Sequence, residues 1–434
     1  MKYINSLDIL STKKSWFLFL CFLLIIFSIN LYILFNKYTN FISEEIFEAD
    51  FTILNIYNKK DYDILKLKNS DFIFFTKVNQ EEFNKEYILN NNQSSSLKQL
   101  HRVNITLLTS NISFFDYLKG FYSNSFNLEI IDNKSKDKNM RYFLYDKINS
   151  QHNNIYISQL FNAIFLGINL STTIRDKISL YGISHLIAIS GFHLGLICLF
   201  IYIIFYFPYS VIHRIYFPYR NKKFDILVFS IIILFGYLIF TGVIPSLLRA
   251  FVMFVVGIYF LRCNIKILSY KTLLIISLLI VSFLPKYMFS LSLWFSICAV
   301  FYIFIFLQYF KSLPKIYQFI FFNIWIYLSF NPIVYYFFPI VSFYQILSPI
   351  ITILFTIFYP IELFLHFIGY GGLLDGFLEF ALQLDIFSYE VKSSFLFFYF
   401  YIFLSILSIF YKGAFVILNI SLVLFNLYIY SLGF

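Results

Sequence analysis

Residues 182–206 read GISHLIAISGFHLGLICLFIYIIFY, and this stretch decides both the fold class and where a function has to be sought. Its second half is a continuous apolar run, and about 20 such residues are needed to cross a bilayer as a helix. Its first half places His185, Ser190 and His193 among apolar neighbours. Because polar groups in hydrocarbon must find partners, ionisable residues there commonly mark a pathway or a binding site.

The composition of the chain is that of an integral membrane protein. Of its 434 residues, 60% are hydrophobic and 13% are charged, and the mean hydropathy is +0.75. These values predict a polytopic α-helical protein with about ten transmembrane helices. The predicted spans are residues 16–34, 183–206, 224–241, 245–262, 271–285, 288–309, 316–330, 346–368, 394–411 and 413–433. The four cysteines lie singly, so we expect no disulfide framework, no metal site and no cofactor.

Three regions of the chain differ in character. Residues 1–37 contain the first apolar run, preceded by Lys13 and Lys14, and are expected to be a retained helix with its N-terminus in the cytoplasm. Residues 38–154 are polar and predict an inserted extracytoplasmic domain. Residues 155–434 form the membrane core, whose basic short loops agree with this orientation.

The inserted domain has the alternation of a small β-rich fold. Residues 51–57, 62–68, 72–77 and 103–109 are predicted strands, and an OB-like barrel fits the length. Aromatic residues interleaved with lysines between residues 57 and 75 form either a base-stacking surface or the barrel core. From residue 37 to residue 155 there are 15 Lys and Arg against 15 Asp and Glu, so the net charge gives little attraction to phosphate.

Three further segments are not counted as spans. Residues 155–170 predict an interfacial helix that is apolar on one side. Residues 332–343 are short and interrupted by Pro332, and a re-entrant segment is one interpretation. Residues 372–387 carry Asp375 and Glu379 one turn apart and predict an acidic amphipathic helix on the outer membrane face.

If residues 184–197 form one helix, its small residues align along one side, where they would let a second helix approach closely. This stripe consists of Ser184, Ala188, Gly191 and Gly195. The opposite side carries His193, with His185 and Ser190 at wider angles. The two histidines either line a polar pathway or donate to backbone carbonyls of packed helices.

A second polar cluster is GVIPSLLRAFVM, residues 242–253. Pro245 suits the first position of a helix, Ser246 follows it, and Arg249 lies about one turn inside. A permanent cation at that depth needs a partner, a watery cavity or room to reach the headgroups. Arg249 therefore either extends to the outer headgroups or forms an electropositive element in the pathway of an anion.

These segments carry a family resemblance. Residues 182–196 resemble the signature of the ComEC competence family, G-[LI]-S-H-L-[LI]-A-I-S-G-[LF]-H. Residues 163–167 resemble the family's upstream LG segment, residues 245–253 its S-x-x-R-A-x-x-M element, and residues 291–300 its L-S-x-x-A-V helix. The resemblance covers roughly residues 155–368.

The resemblance implies a channel through which single-stranded DNA enters the cytoplasm in natural transformation, and not an enzyme. The pathway-lining or motif candidates are His185, Ser190, Gly191, His193, Ser246 and Arg249, and the helix-packing candidates are Ser184, Ala188 and Gly195. No catalytic residue is expected. The implied partners are single-stranded DNA, an extracytoplasmic DNA receptor, a separate cytoplasmic motor or single-strand-binding proteins, membrane lipid, a separate nuclease and further copies of the chain.

Many family members continue into a metallo-β-lactamase-like nuclease domain. This sequence has no H-x-H-x-D-H run, so we expect a short form without nuclease activity. It also has no nucleotide-binding G-x-x-x-x-G-K-[ST] loop. Two alternatives stay open: a polytopic solute transporter, and an intramembrane serine protease suggested by residues 188–191, AISG.

Overall fold

The computed structural model describes residues 12–58, 62–69, 71–78, 99, 101–131, 140–263 and 269–433. Within these residues seven segments are helical, long and apolar enough to cross a membrane, so the chain is a polytopic helical membrane protein. They are Lys13–Ile42, Gly191–Tyr216, Lys222–Phe240, Leu291–Phe310, Lys315–Phe337, Phe343–Ile368 and Lys412–Ser431.

The first helix, α1 (Lys13–Ile42), connects the membrane core to the β-domain. It begins at a capping box in which the Thr12 side chain accepts from the backbone N–H of Ser15 at 3.2 Å. In its middle, Asn30 Nδ2 donates to the Ser282 carbonyl at 3.0 Å, which satisfies an amide that faces another helix. Near its end, Phe41 is buried in the core of the β-domain. One helix therefore fixes the position of the domain against the core.

The β-domain is a six-stranded sheet in the order β5-β3-β2-β1-β4-β6. Its strands are β1 (Ile46–Asn58), β2 (Asp63–Lys68), β3 (Ile73–Val78), β4 (Arg102–Leu108), β5 (Phe121–Tyr122) and β6 (Ser125–Ile130). The long β1 pairs antiparallel with both β2 and β4, and its register shifts between Ile53 and Asn55. Strand β5 runs parallel to β3, while β6 pairs antiparallel with β4.

The two ends of this sheet are joined by the chain itself. Ser123, between β5 and β6, donates its N–H to the Phe75 carbonyl on β3 at 3.0 Å. Its hydroxyl donates to the Leu108 carbonyl on β4 at 2.6 Å. The sheet thus closes on itself around a core that includes Phe51, Leu65 and Phe74. The four predicted strands are confirmed within a few residues, whereas β5 and β6 were not predicted.

Short helices follow the β-domain. Within it lies α2 (Phe114–Lys119), and after it come α3 (Met140–Asn149), α4 (Ile155–Leu166), α5 (Thr172–Leu180) and α6 (Ser184–Ile187). The expectation of an interfacial helix apolar on one side is wrong for α4, because every residue from Ser158 to Leu166 except Gln159 is buried. Helix α4 packs in one cluster with residues of α3 and of two later helices, Ser348–Ile368 and Asp375–Gln383.

The single helix predicted for residues 184–197 is interrupted. Helix α6 ends at Ile187, Ala188 is extended, and α7 (Gly191–Tyr216) begins after Ser190. The reason is local, since Ser190 and His193 bond each other's backbone and side chain and so offer the chain a helix start in place of a continued helix. The predicted small-residue stripe therefore does not exist as one helix face: Ser184 and Ala188 are exposed, and no atom lies within 4 Å of a Cβ built on Gly195.

The core continues with a series of further helices. They are α8 (Lys222–Phe240), α9 (Pro245–Arg262), α10 (Tyr270–Phe283), α11 (Leu291–Phe310), α12 (Lys315–Phe337), α13 (Ser348–Ile368), α14 (Asp375–Gln383), α15 (Phe395–Leu407) and α16 (Lys412–Ser431). A small ribbon of β7 (Ile340–Val341) and β8 (Tyr389–Glu390) lies between them. The predicted amphipathic helix at residues 372–387 is present as the shorter α14.

Helix α12 does not stop before Pro332, contrary to the span predicted at residues 316–330. A proline in a helix leaves the carbonyl four residues earlier without its donor. Here Asn426 Nδ2, on α16, donates to that carbonyl, which belongs to Leu328, at 3.3 Å. Asn426 Oδ1 also accepts from Asn331 Nδ2 at 2.6 Å. The neighbouring helix therefore supplies the hydrogen bond that proline removes, and residues 332–337 are a helix, not a re-entrant segment.

Both ends of α13 contact the segment between the β-domain and α7. At its start, Ser348 Oγ donates to the Gly182 carbonyl at 2.9 Å. At its end, Gln151 Nε2 donates to the His366 carbonyl at 3.3 Å. Helix α13 thus contacts one segment of the polypeptide with both of its ends, and the sequence did not predict these contacts.

Candidate functional site

The sequence segments singled out above come together in the structure, beginning with Gly167. This residue ends α4 with a φ of +66°, a conformation that glycine adopts readily. A Cβ built on it would lie 2.0 Å from Ile244 Cδ1 and 3.0 Å from Ile189 Cδ1. Gly167 therefore lets the break before α7 and the start of α9 approach the end of α4.

Two further contacts extend this cluster. A Cβ on Gly191 would lie 3.6 Å from the Ala250 Cβ, so the first turn of α7 packs directly against α9. Arg249, which directly precedes Ala250 on α9, is buried and donates from Nη2 to Ser292 Oγ at 2.9 Å. Segments spread over more than a hundred residues of sequence thus form one continuous site, which we call the motif cluster: residues 167, 188–191, 244–250 and 292.

His193 is the most buried of the predicted site residues, with 0% of its surface exposed. Its Nδ1 accepts from the Ser190 N–H at 3.3 Å, which assigns the hydrogen of a neutral ring to Nε2. The ring meets Tyr359 of α13 edge to face, with centroids 4.8 Å apart. His193 therefore holds the start of α7 and links it to α13.

The Ser190 hydroxyl serves the same helix start. It accepts from the Phe192 N–H at 3.3 Å and lies 3.3 Å from His193 Nδ1, which already accepts from the backbone. A nucleophile needs a base that is free to take its proton. This geometry is that of a helix cap, and it gives no support to a serine protease.

The other predicted residues are less enclosed. His185 is exposed on α6, and its Nε2 lies 3.4 Å from Thr352 Oγ1 on α13. Ser246 is half-buried in the first turn of α9. The structure therefore separates the predicted pathway residues into a buried group, His193 and Arg249, and a group at the surface.

A cluster of cations between the β-domain and the core escaped the sequence analysis. Lys68 of β2 interacts electrostatically with Arg141 of α3 and with Lys66, and Lys286, after α10, interacts with Lys68 and Lys37. Burial and these like charges lower the pKa of Lys68 below its usual range, and burial lowers the pKa of Lys286. We call this group, residues 37, 66, 68, 141 and 286, the basic junction.

One acidic residue takes part in the basic junction. Asp71 forms an ion pair with Lys37, its backbone carbonyl accepts from Lys286, and its charge favours the charged form of Lys286. No signal in the sequence could have found the junction, because its members come from four segments with unremarkable local composition. The net charge of zero counted over residues 37–155 concealed this concentration of positive charge.

The outer face of β2 and β3 carries aromatic and basic side chains alternately. Lys66 pairs with Phe75 across the strands, with its Nζ 5.7 Å from the ring centre. Lys77 lies over Tyr62 at 4.6 Å, and Tyr122 is beside Phe75. The interpretation as core is confirmed for Phe72 and Phe74, whereas Phe75 is half-buried on the other face of the strand. The base-stacking interpretation stays a prediction. Lys59 and Lys60 lie outside the described residues.

The match with known families begins at the residue where this geometry begins. The family model described as Competence protein matches residues 167–430, more than half of the chain. The chain belongs to the Competence family. All four parts of the motif cluster lie inside the matched range, whereas the β-domain, α3 and α4 precede it. Neither a curated protein nor a solved structure matches the chain.

A metal site would need ligands that are grouped in space. Among the residues that the structure describes, no group of three or more His, Cys, Asp or Glu side chains is arranged to hold a metal ion. The polar side chains of the motif cluster are the hydroxyls of Ser190, Ser246 and Ser292 and the guanidinium of Arg249. Such groups suit hydrogen bonding to an anion better than coordination of a cation.

Proposed function

We propose that this chain forms a channel that conducts single-stranded DNA across the bacterial cytoplasmic membrane during natural transformation. Membership of the Competence family supports a role in DNA uptake. The observation that carries the proposal is the placement of Arg249, a buried cation on the helix that contacts the break before α7. A permanent positive charge and a neutral polar surround favour passage of a polyanion.

The break between α6 and α7 supports a hydrated path. Non-helical backbone within a membrane protein is tolerated where it is buried in protein or lines a water-filled cavity. Residues 188–190 are not helical, and Ser184, His185 and Ala188 beside them are exposed. Thr352 and Thr356 of α13 are half-buried. They lie near this break, because Thr352 contacts His185. This surface is where the strand would enter the core.

The β-domain supplies an entrance. Its connectivity, with β1 shared by two strands and β3 parallel to β5, supports an OB-like barrel, a fold that binds oligonucleotides on its second and third strands. That face carries Phe75, Tyr62 and Tyr122 for base stacking and Lys66 and Lys77 for phosphate.

The basic junction connects this entrance with the motif cluster. Lys66 and Lys68 belong to the strands of the entrance, and Lys68 acts on Lys286 in the turn Pro285–Phe289. The next residue, Tyr287, interacts electrostatically with Arg249. Positive charge therefore continues from the outer face of the barrel to the buried arginine, and bound phosphates would relieve the repulsion within the junction.

The chain alone supplies neither a motor nor a nuclease in this proposal. An extracytoplasmic receptor delivers the strand, and a separate cytoplasmic motor or single-strand-binding proteins draw it inward. A separate nuclease removes the complementary strand, and further copies of the chain complete the channel wall within the lipid. The chain acts as a conduit and not as an enzyme.

Helix α13 determines the number of crossings in this proposal. Helix α13 is long and apolar enough to cross, but both its ends contact the segment between the β-domain and α7. The proposal therefore places both ends on the outer side of the membrane and does not count α13 as a crossing. The crossings are then α1, α7 to α12, α15 and α16. This arrangement leaves the N-terminus in the cytoplasm and places the acidic α14 on the outer side, as the basic loops require.

Deletion of the gene in its host tests the proposal. Labelled DNA is scored separately outside the cytoplasmic membrane and in the cytoplasm. We expect DNA to accumulate outside and to be absent from the cytoplasm, because the receptor remains while the channel is lost. Unchanged entry into the cytoplasm would refute the proposal and would leave solute transport as the next hypothesis.

A further inference from the structure

A row of four polar residues, which we call the polar row, lies apart from the motif cluster, where α13 and α14 meet the loop after α3. Asp375 Oδ1, at the start of α14, is 2.9 Å from His152 Nδ1. His152 Nε2 is 3.0 Å from His366 Nε2 on α13. His366 Nδ1 is 2.7 Å from the carbonyl oxygen of Glu362 and 3.2 Å from its carboxylate Oε2. The contacts therefore run without interruption from Asp375 to Glu362.

The donors and acceptors of the polar row fix how many hydrogens its contacts hold. A backbone carbonyl only accepts, so His366 Nδ1 must carry a hydrogen. An ionised Asp375 likewise requires a hydrogen on His152 Nδ1. The two Nε2 atoms at 3.0 Å then need a third hydrogen between them. If Asp375 itself carries a hydrogen, that of His152 moves to Nε2 and the total is again three, one more than two neutral imidazoles and a carboxylate hold.

Glu362 is the inner end of the polar row and is fully buried, with 0% of its surface exposed. Within the described part of the protein, neither of its carboxylate oxygens has a hydrogen bond of good geometry. An ionised carboxylate in such a place is costly, whereas a protonated one is far less so. Among the described residues, Glu362 has His366 as its ion-pair partner, with Oε2 3.2 Å from Nδ1.

Apolar neighbours exclude water from the histidines of the polar row, whereas its Asp375 end is open to solvent. The ring of Phe161 stacks on His152 with centroids 4.9 Å apart and contacts His366 at 4.5 Å, so α4 presents apolar rings to both histidines. The side chain of His152 is fully covered, whereas that of Asp375 is 17% exposed. Water therefore reaches the polar row at Asp375.

The charges that act on His152 come from Asp375 on α14 and from His366 and Glu362 on α13. Burial lowers the pKa of His152, and the hydrogen bond and charge of Asp375 oppose that effect. His152 thus lies between a carboxylate and a second imidazole, each within hydrogen-bonding distance, which is the geometry that a proton transfer requires.

We propose that Asp375, His152 and His366 are a proton relay that protonates and deprotonates Glu362 from the outer surface. The relay starts from the form in which Asp375 carries the third hydrogen, taken from water, and His152 Nδ1 accepts from it. That hydrogen then passes to His152 Nδ1. The Nε2 hydrogen of His152 passes to His366 Nε2, and the Nδ1 hydrogen of His366 passes to Glu362 Oε2. One proton enters and one reaches Glu362; only O–H and N–H bonds form and break, and the reverse shift returns the proton. This function goes beyond DNA conduction and does not depend on it.

Infrared spectroscopy of the full chain in lipid nanodiscs tests the relay. The carbonyl stretch of a protonated carboxyl group is followed against pH and after transfer to heavy water, and Glu362→Gln assigns the band. We expect a Glu362 band that exchanges hydrogen for deuterium quickly in the unmodified protein. In His152→Gln and His366→Gln the amide keeps a donor and an acceptor but does not relay protons, so exchange should slow at least tenfold.

Two matched variants serve as controls. Glu379→Gln, on the same helix as Asp375, and His213→Gln, at the far end of α7, should leave the Glu362 band and its exchange unchanged. Should a glutamine variant misfold, His152→Asn or Asp375→Asn replaces it, since each interrupts the relay at another point. Exchange that is equally fast in every relay variant would refute the proposal. So would the absence of a protonated Glu362 at any pH at which the protein is folded, or one zinc ion per chain in the purified protein.

Discussion

Arg249 and Ser292 are 43 residues apart in the chain, yet Nη2 of the arginine lies 2.9 Å from the hydroxyl of the serine. The contact joins α9 to the first turn of α11, and it brings together two of the segments that resemble the family pattern. A buried guanidinium that donates to a neutral hydroxyl keeps its full positive charge. The contact therefore positions the cation without cancelling it.

The first prediction concerns this charge. Arg249→Gln should lower entry of labelled DNA into the cytoplasm about tenfold or more, since a hydrogen bond from a charged group contributes roughly 1.5–3 kcal/mol. The measurement is uptake normalised to the amount of protein in the membrane. Arg262→Gln, the same change at the other end of α9, is the control and should have little effect. Equal loss in both variants would contradict a specific role for Arg249.

The second prediction concerns Gly167. Gly167→Ala should destabilise the protein by about 1–3 kcal/mol, because alanine is strained at a φ of +66° and its Cβ would overlap Ile244 Cδ1. Denaturant unfolding in detergent measures the change. Adding Ile244→Val removes the overlapping methyl group and should restore part of the stability, leaving the backbone strain. A double variant no more stable than Gly167→Ala would show that the overlap is not the cause.

The third prediction separates a helix cap from a nucleophile. Ser190→Ala should cost about 0.5–2 kcal/mol of stability through loss of the cap at the start of α7. Ser190→Asp and Ser190→Asn retain a capping acceptor and should recover most of it. No cleavage of membrane peptides should be detected in any of these proteins. Cleavage that disappears with Ser190→Ala would instead favour the protease hypothesis.

The fourth prediction concerns the outer face of the β-domain. Phe75→Ala in the full chain should weaken binding of a fluorescent single-stranded oligonucleotide by about 1–3 kcal/mol, the usual contribution of one stacked base. Lys66→Gln should reduce the slope of binding against salt concentration, because it removes one phosphate contact. Phe126→Ala changes an exposed ring on β6 and is the control. Weakening by Phe126→Ala equal to that by Phe75→Ala would place the strand elsewhere.

The fifth prediction concerns the position of α13. Single cysteines at Ile346 and Phe367, both exposed and close to opposite ends of the helix, are introduced after replacing the four native cysteines. A membrane-impermeant maleimide applied from outside should label both, because both ends lie on the side of the β-domain. A cysteine at Lys311 should be labelled only after the membrane is permeabilised. Labelling of only one end from outside would show that α13 crosses.

Local patterns predicted much of this architecture. Period-two alternation located β1 to β4, and long apolar runs located the helices that the structure describes. The break before α7 was missed because the sequence there is apolar and compatible with a helix, and the decisive interaction is a hydrogen-bonded pair three residues apart. Helix α12 was ended too early at Pro332 because the donor that rescues Leu328 belongs to Asn426, almost a hundred residues later.

The sequence by itself determined that the chain is a helical membrane protein with an inserted β-domain, and it identified the segments around His193 and Arg249. Those properties depend on hydropathy, periodicity and residue order, which are local. Only the tertiary structure decided that Gly167, Gly191 and Arg249 belong to one site, that lysines from several segments form the basic junction, and that His152 faces His366. These relationships arise from packing between distant segments, whose contacts are set by the shape and charge of neighbouring elements.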